Sequence, residues 1–471
     1  MHHQRQTFVT SASSRLSAIA FLLAFLIAPP IASAAQDEAR KDSLSLSECI
    51  DIALERATGI KKAAYALRLQ GSDVLKNYGQ FLPRVSVNAT YTPRSVNKSY
   101  ITGTTPSSLV KTTTERVDLS LSTSLNIFNG LRDYAGLRAS LQRKEAAELT
   151  LWQARQTIIY DITQSYYQVL LNRELLLIAR ENLSASEDLL QLTRRQYEIG
   201  LKPITDFYQQ QAETASSELS VINAENNLRE SRIELQRRLR TDPTQNIAIV
   251  GIDTASLDSL PEKADPDSLI TIALNNRKDL KSASATAKAA RWEITRSRAP
   301  HYPSLDLSFN LGTDGYAYYK YNGDVQSDTS PTLSDQLSDQ ISYSVALSLN
   351  WSIFDGFLTH YNIEQAKINY LNQKLDAGDL EQDIVLDVRL ASDNYNAAQH
   401  QINVAQQSQK AAEQAFQTIQ RKYELGAATF VEVQAARATL ITARSDRTQS
   451  IYNLALQQNI LDFTTGSIPL D

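Results

Sequence analysis

Two stretches of this chain, Leu131–Ile199 and Phe357–Leu425, each run for 69 residues with no proline and a single glycine. Few folds can use such segments. As α-helices each would be about 104 Å long at 1.5 Å per residue, several times the usual three turns. Glycine (15) and proline (13) are each about 3% of the 471 residues, below the averages of about 7% and 5%. This scarcity of breakers excludes disordered chains and turn-rich all-β folds. Past residue 30 no run approaches the ~20 apolar residues of a spanning helix, so a polytopic helical membrane protein is excluded as well.

Each long segment carries two apolar seams. Ile162, Val169, Leu176, Leu183, Leu190 and Tyr197 recur every seven residues, as do Leu171, Ile178, Ala185, Leu192 and Ile199. The second segment repeats both, as Val388, Tyr395, Ile402, Gln409, Phe416, Tyr423 and as Leu390, Ala397, Val404, Ala411, Thr418, Leu425. The two series lie about 200° apart around the helix. A two-stranded coiled coil needs one seam. Two seams on nearly opposite sides suit a helix with a neighbour on each side, as in the wall of a cylinder.

The segments belong to an internal duplication. Ile50-Asp-Ile-Ala-Leu54 returns as Ile270-Thr-Ile-Ala-Leu274, and Pro83 as Pro303, at an offset of 220. Leu-Asn-Ile-Phe-Asn-Gly (125–130) matches Ser-Ile-Phe-Asp-Gly (352–356) at an offset of 226, which persists to Tyr197-Glu-Ile-Gly200 against Tyr423-Glu-Leu-Gly426. The first copy is placed at 35–240, a linker at 241–268, the second copy at 269–463 and a C-terminal tail at 464–471. Shorter helices are expected over 46–79, 204–240, 269–298 and 429–463. By length, 204–240 with 269–298, and 429–463 with 46–79, would each stack end to end beside one long helix.

Each copy also holds two runs of alternating apolar and polar residues, the period of a strand with one apolar face. They are Val85 to Tyr91 and Val117 to Leu121, then Leu305 to Leu311 and Ile341 to Ile353. Polar loops at about 95–115 and 313–339 join them into two hairpins. Four strands leave two unpaired edges, which hydrocarbon does not tolerate, so several chains must close the sheet. Two chains give eight strands and a filled interior; three give twelve and a bore. The fold class expected is mainly α with membrane β: a trimeric α-barrel of long coiled-coil hairpins, with four strands per chain contributing to a 12-stranded transmembrane barrel.

The N-terminus reads as a cleaved signal peptide over residues 1–34. Arg5 and Arg15 precede an apolar run, Leu16–Ala28, and Ala32-Ser33-Ala34 is a small-residue cleavage site. Its removal takes two basic residues and no acidic one, moving the net charge from −5 to −7. No nucleic-acid partner is expected of such a chain.

Together the duplication, the two strand-to-helix junctions ending in Asn-Gly and Asp-Gly, and the Tyr-Glu-x-Gly turns resemble the TolC family of outer-membrane efflux proteins over nearly all of the mature chain. The resemblance implies a homotrimeric exit duct in outer-membrane lipid, served by a periplasmic adaptor protein and an inner-membrane transporter, in efflux or type I secretion. It implies adaptor docking at the tips Gly200, Leu201, Gly426 and Ala427. It further implies a periplasmic gate of polar links mapping onto Thr205, Asp206 and Tyr423, with an acidic ring at Glu432 that favours cations. The sequence departs from the family at Ala428, where an arginine often stands, and at Ala435, where a second acid can occur. Lys202, the repeat-equivalent of Ala428, is the candidate replacement cation. The competing readings are a periplasmic coiled-coil adaptor and a structural protein without a pore.

Catalysis is not expected. Past the signal peptide only His301, His360 and His400 remain, far apart, with a lone Cys49. Neither a phosphate-cradling glycine loop nor a GxSxG elbow is present. No metal or cofactor is implied.

Overall fold

The computed structural model describes residues 43–101, 108–242, 248–251, 265–321 and 331–468. The expected signal peptide, most of the linker 241–268 and the end of the C-terminal tail lie outside them. In order, the elements are β1 (Ser43–Leu44), α1 (Leu46–Arg56), α2 (Thr58–Gly79), β2 (Arg84–Ile101), β3 (Ser108–Asn129), α3 (Arg132–Glu198) and α4 (Ile204–Leu239). Then follow β4 (Ala248–Ile249), α5 (Pro266–Asn276), α6 (Lys278–Arg298), β5 (Ser304–Tyr321), α7 (Leu333–Asp339), β6 (Ile341–Asn350), α8 (Leu358–Glu424) and α9 (Phe430–Thr464).

The long helices α3 and α8 span 67 residues each. One seam of each is the core of the chain. Ile162, Val169 and Leu176 pack with Leu228, Leu235 and Tyr452, while Val388 and Tyr395 lie buried in two clusters formed with α5 and α9. The second seam of α8 is left uncovered by the described residues. Leu390, Val404 and Leu425 are exposed by 61%, 66% and 84%.

Neighbouring helices follow a simple order. Toward the sheet, α2 and α6 flank α3, and α8 lies beyond α6; toward the other end, α4 and α9 flank α3, and α8 lies beyond α9. The short helices therefore stack as α4 with α2 and α9 with α6, not as the lengths had suggested. Arg240, just after α4, donates from Nη2 to Thr58 Oγ1 at 3.4 Å. Arg277, at the head of α6, donates from Nη1 to the Thr464 carbonyl at 3.3 Å and so caps the end of α9. Helices of 36 and 35 residues, and of 22 and 21, give nearly the same total in either pairing, so length cannot discriminate.

Two expected single helices are broken. The 46–79 segment divides at Ala57 (φ −58°, ψ 120°) and the 269–298 segment at Arg277 (φ −55°, ψ 118°). Neither site holds proline or glycine, so periodicity gave no sign of the break. Near the first break the two-residue strands β1 and β4 pair in parallel. Tyr166 Oη of α3 donates to the carbonyls of Leu44 (3.3 Å) and Val250 (2.6 Å), pinning this small sheet to the middle of the long helix. Cys49 is fully buried there, and burial pushes its thiol up to about 12, with Glu48 adding to the shift.

The four long strands form one antiparallel sheet in the order β2-β3-β5-β6. The register aligns the apolar residues across all four strands: Val87 with Leu121, Leu311 and Tyr343, and in the next row Val85 with Thr123, Phe309 and Val345. The opposite face has rows such as Ser86, Ser122, Asn310 and Ser344. The apolar face is uncovered, with Val87 exposed by 75% and Tyr343 by 79%. It spans nine residues on β6 (Ile341, Tyr343, Val345, Leu347 and Leu349), the length of a tilted membrane strand, about 9–11 residues. Above it Tyr91 donates to Glu115 at 2.8 Å, while on the opposite face Arg116 bridges Asp118 at 2.6 Å. The strands run past the expected polar loops, to 101 and from 108 in the first hairpin. Part of the second loop is α7, whose buried Gln336 exchanges hydrogen bonds with the Tyr316 backbone.

Strand passes to helix by the same device twice. Gly130 and Leu131 are both left-handed (φ 67°), as are Gly356 (φ 65°) and Phe357 (φ 67°). Asn129 Oδ1 then accepts from the Asp133 amide at 3.3 Å, and Asp355 Oδ2 from the Thr359 amide at 2.8 Å, so the Asx residue caps the helix. The two sites differ in room. A Cβ on Gly130 would sit 2.5 Å from the Ala299 carbonyl oxygen, whereas one on Gly356 meets nothing within 4 Å. We expect Gly356→Ala to cost about 1–2 kcal/mol, the left-handed penalty. Gly130→Ala should cost about 3 kcal/mol or more, because backbone must also move. Urea midpoints of the two variants check the difference.

Candidate functional site at the helical tips

The ends of α3 and α8 farthest from the sheet turn by one motif. In the first, the Leu201 amide donates to the Gln196 carbonyl (2.7 Å) and the Gly200 amide to Tyr197 (2.9 Å); in the second, Ala427 donates to Lys422 (2.7 Å) and Gly426 to Tyr423 (3.0 Å). These are Schellman caps, and they need the left-handed glycines Gly200 (φ 76°) and Gly426 (φ 74°). No Cβ contact lies within 4 Å of either glycine, so both turns are open to an incoming partner. Leu201 and Ala427 are exposed.

The returning helices start differently. Pro203 precedes α4 without a side-chain cap, whereas Thr429 and Glu432 form a capping box at α9. Glu432 Oε2 accepts from the Thr429 amide at 2.7 Å and from its hydroxyl at 2.9 Å. These bonds, backbone first, hold the carboxyl of Glu432 below the usual range. Glu432 is thus an exposed, ionised group fixed in position by its own helix start.

Tyr423 is the buried centre of the tip, 6% exposed and packed with Phe430 and Val433. Lys202 Nζ stands 3.9 Å from its ring centroid, a cation–π contact. The Tyr423 hydroxyl is buried and has no hydrogen-bond partner among the described residues. Burial, and then the charge of Asp206, hold this phenol above the ordinary tyrosine range. The structure therefore brings Lys202, Asp206 and Tyr423 together, without a direct hydrogen bond from Tyr423 to Asp206. Thr205 is exposed on the first turn of α4, and Ala428 packs against the Tyr423 cluster. The equivalent tyrosine of the first copy, Tyr197, is 40% exposed and stacks on Phe207.

A polar layer above the tip escaped sequence reasoning. Gln210 of α4, fully buried, donates from Nε2 to the Ser186 carbonyl (3.0 Å) and accepts from Gln434 of α9 (2.6 Å). Arg437, also buried, donates to the Asn182 carbonyl (2.7 Å) and Oδ1 (3.1 Å). Burial pulls its guanidinium below the usual range, with Glu213 opposing. One signal was available: Phe430, Val433, Arg437 and Leu440 are spaced three and four apart, which sets a cation on the apolar face of α9. The layer ties α9 to the α3–α4 pair with partnered polar groups instead of apolar contacts.

Among the described residues no helix is long and apolar enough to cross a membrane, and no group of histidine, cysteine and acidic residues could hold a metal ion. Among the described residues the apolar face of the four-stranded sheet is a membrane-compatible surface. Two hairpins of this kind attached to 67-residue helices are the parts of an outer-membrane channel with a helical extension. The sequence matches the family described as outer membrane efflux protein over residues 49–239 and 269–467, and the chain belongs to that family. The outer membrane protein TolC of Escherichia coli K12 is 24% identical over 350 residues, covering 74% of this chain and 69% of its own. The proteases secretion protein PrtF of Dickeya chrysanthemi is 21% identical over 433 residues, covering 90% and 89%. The outer-membrane channel OprN shares the fold at a TM-score of 0.74 and 20% identity, covering 90% of each chain. The protein is an outer-membrane channel component of efflux or secretion.

The titration of Tyr423 offers a direct check of the tip. Its phenol should ionise above the ordinary tyrosine value of about 10 in a spectrophotometric titration near 295 nm. Removing the negative charge with Asp206→Asn should lower that value, yet leave it above the ordinary one, because burial is the larger cause.

Proposed function

We propose that three copies of the chain close into a duct: a 12-stranded barrel in outer-membrane lipid, continued by a helical tube into the periplasm. One observation carries this reading: the sheet and the helical layer are open on the same two sides. β2 is an edge of the sheet and follows α2, an edge of the helical layer; β6 is the other edge and leads into α8, the other helical edge. A head-to-tail contact that repeats with rotation closes both layers at once. It also covers the free seam of α8 and satisfies the strand edges. Three copies is the smallest number that leaves a bore. The extents 35–240 and 269–463, joined by the linker 241–268, are then the two structural repeats of each wall sector.

In this duct the tips are the periplasmic mouth. Gly200, Leu201, Gly426 and Ala427 would receive the hairpins of a periplasmic adaptor, itself coupled to an inner-membrane transporter that supplies the energy. Lys202, Thr205, Asp206 and Tyr423 hold the mouth closed, with Lys202 standing in for the cation that Ala428 lacks. Glu432 places one carboxylate per chain at the constriction, and Ala435 adds none.

Planar-bilayer recording tests the reading. The wild type should show small, cation-selective currents. Lys202→Ala should raise single-channel conductance several-fold, and an unchanged conductance would remove Lys202 from the gate. Glu432→Gln keeps a capping side chain but removes the charge, and should lower the cation preference measured as reversal potential in a salt gradient. Recovery of the protein from the inner membrane or the soluble periplasm would contradict the duct itself.

A further inference from the structure

The base of the sheet holds a cavity of about 370 Å³, where β2 and β3 meet the end of α2, the start of α3 and the end of α6. Four cations line it: Lys76, Arg84, Arg132 and Arg296, against two carboxylates, Asp133 and Asp306. One of the carboxylates is committed to neutral donors: Asp306 accepts from Asn126 Nδ2 (2.7 Å) and Ser304 Oγ (3.4 Å). The cations are less so. Lys76 pairs with Asp73 at 2.6 Å and Arg296 with Glu293 at 3.5 Å, both partly exposed pairs of the kind worth about 0–1 kcal/mol. Arg84 is held only by the neutral amide of Gln80, and Arg132 makes no salt bridge among the described residues.

The duplication shows that the fold does not require this charge. The second copy builds the same strand-to-helix junction, with the same left-handed pair and the same Asx cap, from Ser304 where the first has Arg84 and from Leu358 where it has Arg132. The first copy contributes two arginines, Arg84 and Arg132, to the cavity lining at this junction. The location is equally specific. Arg84 precedes Ser86 by two residues, and Ser124 and Asn126 follow Ser122 in the same alternation, so the cavity opens on the polar face of the sheet and not on the apolar one.

We propose that this junction cavity is a binding site for an anionic group, a carboxylate or phosphate on a water-soluble solute. Two guanidinium forks with no carboxylate partner among the described residues, Arg84 and Arg132, can recognise such groups by paired, charge-assisted hydrogen bonds, and the start of α3 adds its positive end. That the site faces the lumen rests on the duct reading; the binding itself does not. Anionic cargo would then meet a holding step between the helical tube and the barrel, after an acidic mouth that disfavours it.

The test is calorimetric titration of full-length protein in nanodiscs with tripolyphosphate and, separately, citrate. The expected result is saturable binding that weakens as salt rises, and that falls about tenfold or more in Arg84→Gln/Arg132→Gln. Arg132→Leu alone copies the second repeat and should fold normally while also weakening binding. Absence of binding by wild type, or unchanged binding in the double variant, overturns the proposal. So does loss of binding when anionic lipid replaces zwitterionic lipid in the disc, because a headgroup would then be the occupant. Conductance in planar bilayers is scored separately: a protein that binds tripolyphosphate and passes no current would sink the duct and leave the site standing.

Discussion

A backbone amide in hydrocarbon must be hydrogen-bonded, and the edges of an isolated sheet cannot meet that demand. This constraint organises the rest of the molecule. Four strands, with apolar residues in register across β2, β3, β5 and β6, make a surface fit for lipid on one side and for water on the other. They leave ten residues of β6 and most of β2 without a partner on one side. A helical layer that ended elsewhere would have to be closed by a second, unrelated contact. Here the edge strands β2 and β6 connect to the edge helices α2 and α8, so in the proposed trimer one contact between copies would satisfy both.

The duplication supplies scaffold twice and chemistry once. Both copies reuse the left-handed pair at the junction and the Schellman cap at the tip. They differ in what they place there. Tyr423 is buried under Lys202, while Tyr197 lies half-exposed against Phe207. Thr429 builds a capping box with Glu432 where Pro203 begins the other helix without one. Arg84 and Arg132 surround a hollow where Ser304 and Leu358 do not. Backbone geometry tolerates such divergence because each repeated turn depends on one glycine and a few main-chain hydrogen bonds, leaving the adjoining side chains free to change.

Much of this was legible in the sequence, for physical reasons. Long breaker-free segments, seven-residue seams and period-two strands are repeated signals, and repetition averages out local exceptions. The second seam of α8, predicted from spacing alone, is the one that the chain leaves bare. What could not be read depended on pairings between distant residues. The break at Arg277 recurs at its repeat-equivalent Ala57 with the same backbone angles, and no proline or glycine marks either one. The stacking of α4 with α2 follows from the Arg240–Thr58 contact, which helix lengths cannot reveal. At the tip, Lys202, Asp206 and Tyr423 do converge, but the burial of the Tyr423 hydroxyl and the Gln210–Gln434 layer come from helix packing in three dimensions.

The bare seam of α8 also bears on how the protein comes to exist. Leu390, Val404 and Leu425 are left exposed on the part of the chain away from the sheet, and the apolar face of the sheet is uncovered as well. A solitary copy would gain by associating with almost any apolar surface it met. In the proposed trimer, folding of the outer wall would be coupled to encounter between copies, and its stability would be set by their concentration as much as by their contacts. Residues far from the mouth and from the membrane, on the side of a helix, would then decide how much functional channel a cell can make.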